Sequence, residues 1–229
     1  EFDIIQSMGP QGFQIEEIKE NIEETQNKYN KLYSVKKLNN SSQLRNFIDV
    51  CGQLRFQVRW SHLYRVPRTS VLGHMLIVAI FSYIFSREAK LNDINCINNY
   101  FTGLFHDLPE VLTRDIINPV KKSIKGLDEL IKGYEKEEME QKIYRLVPKA
   151  WHQDIKLFTE NEFSDLKYRN GSLVKAADDL AAFIEAYLSI KNGIKNQDFR
   201  DAMAHIKDKY KQIKVDNIPM ENLLNQFSI

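Results

Sequence analysis

Apolar residues recur every three or four positions through most of this 229-residue chain, and no segment alternates convincingly between apolar and polar. That spacing gathers apolar side chains on one face of a helix, whereas a half-buried strand needs a period of two. Glycine and proline number only 9 and 6, so few positions interrupt a helix. The expected fold class is therefore all-α. A chain of this length can bury a sizeable core without covalent staples. Its two cysteines, Cys51 and Cys96, are too few for a disulfide scaffold, and a reduced cytoplasmic setting is the simplest expectation.

The pattern predicts several elements. In residues 14 to 33, Ile15, Ile18, Ile22, Tyr29 and Leu32 form one apolar stripe, which predicts an N-terminal amphipathic helix that packs back on the body, with packing on a partner as the alternative. NNSSQ is a loop in which Ser41 or Ser42 caps the next helix, running to about Val58. RVPRTS is a break. Further helices are expected over 70–88, 94–107, 125–146, the stretch after Pro148, 172–191 and 197–213, with interruptions at Pro109 and Pro119. The chain divides on this reading into an extension, residues 1–44, and a main domain, residues 45–229.

Net charge is +1, from 32 basic and 31 acidic residues, so no global field favours a nucleic acid polymer or an anionic membrane. No run approaches 18 apolar residues, and no membrane span is expected. The N-terminal EFDIIQSMGPQGF lacks the basic start and apolar stretch of a signal peptide. It begins with Glu1 where an initiating Met would stand, so an upstream portion is left open.

Four residues point to chemistry. His74 lies on an oily helix among Met75, Leu76, Ile77, Ile80 and Phe81. His106 and Asp107 close another apolar helix. Asp178 lies beside the apolar stripe of a later one among small alanines, where a carboxylate is costly unless paired or bound to metal. Asp179 is one step further round and is expected to face solvent. Helices can bring His74, His106, Asp107 and Asp178 to one spot. Two nitrogens and two oxygens suit Mn, Co, Fe, Ni or Zn better than Mg or Ca. A divalent transition metal is the expected cofactor.

His … His-Asp … Asp resembles the signature of the HD-domain metal-dependent phosphohydrolases. HDLPEVLTRDIINPVK resembles the HD-x-x-E-x-L-T-x-D-x-x-x-P-V-K segment of the bacterial 5′-deoxynucleotidases. Arg59-Trp60 precedes His74 at that family's spacing (74 − 60 = 14), and LVKAAD matches its last ligand segment, selecting Asp178 over Asp179. The resemblance covers roughly residues 45 to 215. It implies an HD-domain helical bundle with an additional N-terminal helix, and hydrolysis of deoxynucleoside 5′-monophosphates to nucleoside and phosphate. It implies that His74, His106, Asp107 and Asp178 hold one divalent metal, since only His152 lies between the His-Asp pair and the final aspartate where a two-metal branch needs further histidines, that Glu110 acts in proton transfer, that Arg59 pairs with the phosphate, and that Trp60 and Asp115 line the sugar pocket. Asp115 thus belongs to both the catalytic and the substrate-binding sets. A homodimer is implied because related enzymes form dimers. Gly73 and RVPRTS depart from the family wording beside the substrate, which bears on substrate choice. The alternatives are an HD-type phosphoesterase acting on an alarmone or cyclic nucleotide, and a non-catalytic nucleotide-binding regulatory module.

Overall fold

The structure, a computed structural model, describes residues 20–21, 23–25, 27–32, 36, 40–113, 124 and 126–227. Among these the α-helices are α1 (Ser42–Gln53), α2 (Val71–Glu88), α3 (Asp93–Phe105), the single turn α4 (Glu110–Thr113), α5 (Leu127–Glu138), α6 (His152–Thr159), α7 (Gly171–Lys191), α8 (Gln197–Lys209) and α9 (Met220–Asn225). No strand forms among the described residues; only isolated bridges do, one of them between Val58 and Ser70. The fold is all-α among the described residues, as the sequence pattern predicts. The chain divides into two compact units, Glu1–Phe47 and Ile48–Ile229. In the first, the described positions between Glu20 and Tyr29 are helical, while Ile15, Ile18 and Ile22 of the expected stripe lie outside the described residues. Ser41 caps α1, its Oγ accepting from the Leu44 amide at 3.2 Å.

Helix α2 starts where Ser70 Oγ accepts from the Gly73 amide at 3.1 Å. Its 18 residues have a mean hydropathy of 1.4, long and apolar enough to cross a membrane by length and composition alone. This differs from the sequence expectation. Packing accounts for the apolarity: Val71, His74, Met75, Val78, Ala79, Ser82, Phe85 and Ser86 are buried, in a helix packed against α3 and α7. Its other face leaves Leu76, Ile77, Ile80, Tyr83 and Ile84 exposed, and Ile94 and Ile97 of α3 are exposed as well.

The α2–α3 hairpin is close at one point. A Cβ on Gly103 would stand 2.9 Å from the Ala79 backbone, so only glycine permits this approach. Asn92 caps α3 through the Asn95 amide at 3.0 Å. Helix α7 begins at a similarly tight place, since a Cβ on Gly171 would lie 2.3 Å from the Phe163 carbonyl carbon. Just before it, Arg169 is fully buried and donates to the carbonyls of Leu157, Glu160, Asn161 and Ser164. The loop ahead of α7 is thereby fixed without solvent.

Helix α7 is the centre of the core. Leu173, Val174, Ala176, Ala177, Leu180, Ala181, Phe183 and Ala186 are buried, together with Phe199, Met203 and Ile206 of α8 and Met220 and Leu224 of α9. Its four buried alanines allow neighbours to approach closely. The predicted helix over 125–146 changes winding on the way: α5 passes into a π turn at Met139–Ile143 and a 3₁₀ turn at Tyr144–Leu146. The changed winding lets Met139, Ile143 and Tyr144 all turn inward.

Candidate metal centre and active site

The α2–α3 crossing delivers two imidazoles to one place, their ring centroids 5.7 Å apart. His74 is completely buried. His106 sits at the C-cap of α3 and its Nδ1–H donates to the Gly103 carbonyl at 2.9 Å. Its Nε2 therefore faces the cluster. Consecutive residues on a helix diverge by about 100°, yet Asp107 Oδ2 lies 3.2 Å from His106 Nε2. The α-helix ends at Phe105, and the turn that follows lets the neighbouring side chains converge. From α7, Asp178 Oδ1 reaches within 2.9 Å of His74 Nε2 and 3.9 Å of His106 Nε2.

The donor atoms of His74, His106 and Asp107 lie within 4.8 Å of one another. His106 Nε2 and Asp107 Oδ2 are buried and, beyond their ion pairing, make no well-formed hydrogen bond among the described residues. Buried polar atoms of this kind are costly unless something satisfies them. The set, two imidazole nitrogens and two carboxylates, fits a divalent metal.

Electrostatics keep the cluster charged when no metal is bound. Burial opposes the charged form of His106, but Asp107 and then Asp178 outweigh it and raise its pKa to about 9. Burial and Arg59 oppose the charged form of His74, yet Asp178 and Glu185 carry it upward. Burial works against ionised Asp107 and Asp178. The cation of His106 overrides it at Asp107, and Lys175 followed by His74 overrides it at Asp178, so both are held well below the usual carboxylate range.

Asp179 corrects the sequence expectation of a solvent-facing residue. It is buried, accepting from Tyr210 Oη at 2.8 Å and paired with Lys175 Nζ at 2.9 Å and Lys209 Nζ at 2.5 Å. Neighbours on α7 diverge: Asp178 points to the imidazoles, and Asp179 points to α8.

Arg59 and Trp60 sit on a loop closed by backbone bonds from Arg59 N to Thr69 O and from Val71 N to Gln57 O, both 2.9 Å. Arg59 lies between two carboxylates, with Nη1 3.7 Å from Asp107 Oδ2 and Nε 3.8 Å from Glu185 Oε2. Trp60 has a left-handed backbone, φ 59°. Its indole N–H donates to Glu185 Oε2 at 2.8 Å, and its ring meets Phe199 edge-on at 5.3 Å. Arg68 is exposed and lines a separate cleft with Val58, Leu63 and Arg65; His62 is also exposed.

Glu110 is buried and follows Asp107 by one turn, its amide donating to the Asp107 carbonyl at 3.0 Å. With His106, Asp107, Lys132, Lys136 and Tyr144 it lines a cavity of about 300 Å³. Asp115 lies outside the described residues. Sequence reasoning missed Glu185, which the structure places at 3.1 Å from His74 Nδ1. The signal was available: Glu185 stands on the Asp178 face of α7, seven residues on (185 − 178 = 7).

A family model described as HD domain matches residues 51–218. The chain belongs to the HD-domain family. This HD-domain chain is an enzyme of the phosphohydrolase superfamily. It is 28% identical over 159 residues to a 5′-deoxynucleotidase of Shewanella oneidensis, covering 68% of this chain and 79% of that one. It is 26% identical over 167 residues to a 5′-deoxynucleotidase of Yersinia pseudotuberculosis, covering 71% and 82%. Its fold is similar to that of an HD-domain phosphohydrolase from Listeria innocua, with TM-score 0.66 and 18% identity over 80% of this chain and 86% of that one. It is also similar to the cyanophage S-2L HD phosphohydrolase DatZ bound to dA and one catalytic Zn²⁺ ion, with TM-score 0.55 and 18% identity over 78% and 92%.

Proposed function

We propose that this enzyme hydrolyses deoxynucleoside 5′-monophosphates to deoxynucleoside and phosphate. The observation that carries the reading is the convergence of His74, His106, Asp107 and Asp178, with Arg59 Nη1 3.7 Å from Asp107 Oδ2. The relatives named as 5′-deoxynucleotidases, and a structural neighbour holding dA and zinc, support the substrate class. His74, His106, Asp107 and Asp178 would hold one divalent cation, which when bound supplies Lewis acidity toward water and a phosphoryl oxygen.

The remaining chemistry belongs to the chain. Arg59 has a planar fork suited to phosphate, and its place between Asp107 and Glu185 keeps that fork beside the metal ligands. A phosphate dianion arriving there meets a cation already oriented. Glu110, buried at the cavity wall next to Asp107, is positioned to take a proton from the attacking water or to give one to the departing 5′-oxygen. Trp60 and Asp115 would favour a deoxyribose, Trp60 from the loop that also presents Arg59.

Phosphate release from paired deoxy- and ribonucleoside monophosphates, with Mn, Co or Zn added to metal-free protein, tests the reading. Turnover of the deoxy forms alone is expected. Equal turnover of ribonucleotides would remove the sugar role of Trp60 and Asp115. Cleavage confined to cyclic or alarmone nucleotides would replace the substrate class, and metal-dependent binding without any cleavage would favour a regulatory module.

A further inference from the structure

Glu185 serves none of the roles assigned above, yet its carboxylate meets three side chains at the site, His74, Trp60 and Arg59. It is buried on α7, where an unpaired carboxylate would be strongly disfavoured. One oxygen, Oε1, lies 3.1 Å from His74 Nδ1. The other, Oε2, accepts from Trp60 Nε1 at 2.8 Å and stands 3.8 Å from Arg59 Nε. Its backbone is held as well: the Glu185 carbonyl accepts from Arg65 Nη2 at 3.2 Å and from Ser189 Oγ at 3.0 Å. Arg65 and Ser189 are themselves buried. The carboxylate is therefore pinned at its base and divided at its tip between the metal side and the loop that carries Arg59 and Trp60.

We infer that Glu185 is a positioning residue that holds His74 as its Nδ1–H tautomer, with Nε2 turned to the metal, and ties that ligand to Trp60. The inference rests on the metal centre of the proposed function. His106 provides the parallel within the same site. Its Nδ1–H is committed to the Gly103 carbonyl, an acceptor that cannot adapt; at His74 the corresponding acceptor is a side chain with a second oxygen to spare. A carboxylate acceptor also raises the basicity of the imidazole it holds. Because both oxygens are engaged, any movement of the His74 ring on taking a metal is transmitted to the indole of Trp60. Gln is the informative replacement, being the same shape with a single accepting oxygen. Its NH₂ group must face either His74 Nδ1–H or the indole N–H, donor against donor.

The test uses the full chain with Trp151→Phe, which leaves Trp60 as the sole indole, because Trp60 and Trp151 are the 2 tryptophans. Zinc titrated into the metal-free protein is expected to shift Trp60 emission and to bind tightly by calorimetry. Glu185→Gln is expected to weaken zinc binding roughly 10- to 100-fold and to abolish the emission shift, with helical content by circular dichroism unchanged. Equal zinc affinity in Glu185→Gln, with the emission shift intact, would overturn the inference. Long-range ¹H–¹⁵N NMR of the zinc-loaded unsubstituted protein needs no variant and reads the tautomer directly. A His74 proton on Nδ1 and zinc on Nε2 is expected, and zinc on Nδ1 would overturn the inference. These are binding and spectroscopic readouts. A protein that binds zinc as expected but leaves deoxynucleotides intact would sink the proposed reaction and leave the assignment of Glu185 standing.

Discussion

His74 Nε2 and Asp178 Oδ1 lie 2.9 Å apart although 104 residues separate them in the chain. Helices α2 and α7 pack together, and this pair is where their packing becomes chemistry. The bond fails to distinguish Asp178 from a structural partner by itself; Asp179, one residue on, is equally buried and equally well paired. Substitution separates the two. Asp178→Asn is expected to lose both bound metal and turnover. Asp179→Asn is expected to keep its metal but to lose about 1–3 kcal/mol of stability, because it strips the buried Tyr210 hydroxyl and the exposed Lys209 of their charged partner. Metal content by elemental analysis and a denaturant melt of each variant decide the matter, and metal loss in Asp179→Asn alone would reverse the assignment.

Glu110 lies one turn from Asp107 but outside the proposed ligand set. Glu110→Ala is expected to retain its metal while turnover falls roughly 10²- to 10⁴-fold, the usual range for a lost general acid or base. Steady-state rates and metal content measured on one preparation check this. An unchanged rate would take Glu110 out of proton transfer.

Gly103 and Ala79 set the separation of His74 and His106. A Cβ at Gly103 would come within 2.9 Å of the Ala79 backbone, and neither backbone can yield without parting α2 from α3. Gly103→Ala is expected to cost about 1–3 kcal/mol and to weaken zinc binding as the imidazoles separate. A Cβ at Gly133 of α5 would meet nothing within 4 Å among the described residues. Gly133→Ala should leave zinc affinity alone and raise stability by about 0.4–1 kcal/mol through the unfolded chain. Thermal melts and zinc titrations of the pair provide the comparison.

Charge at His106 gives the metal-free protein a definite pH profile. Burial opposes its charge and Asp107 more than restores it, so the folded-state pKa is raised from 6.5 to about 9. A raised pKa means that the proton stabilises the fold fully below the unfolded value, and that this contribution disappears as pH climbs through the folded value. The melting temperature of the metal-free protein should therefore fall between about pH 6.5 and 9. On the proposed function zinc would compete for the same Nε2, so zinc should raise the melting temperature more at the alkaline end. A flat profile without metal would contradict the pairing of His106 with Asp107.

Much of this molecule was legible in the chain because helix periodicity is local. The spacing along Val71–Glu88 and Gly171–Lys191 predicted both core helices to within a residue or two, and the order His74, His106-Asp107, Asp178 identified the family that the HD-domain match then established. Periodicity says which face of a helix is apolar, but not which neighbour it meets. Whether Asp179 faced water depended on α8 bringing Lys209 and Tyr210 across to it. The part played by Glu185 depended on a loop more than a hundred residues away turning an indole N–H toward it. The short α9 carries only six residues, too few for a repeat to register, and its place in the core is decided by the cavity that Met220 and Leu224 fill. Residue types and spacing determined the helices and the candidate ligands. Only long-range packing, where burial makes every polar atom find a partner, decided which carboxylate meets which imidazole.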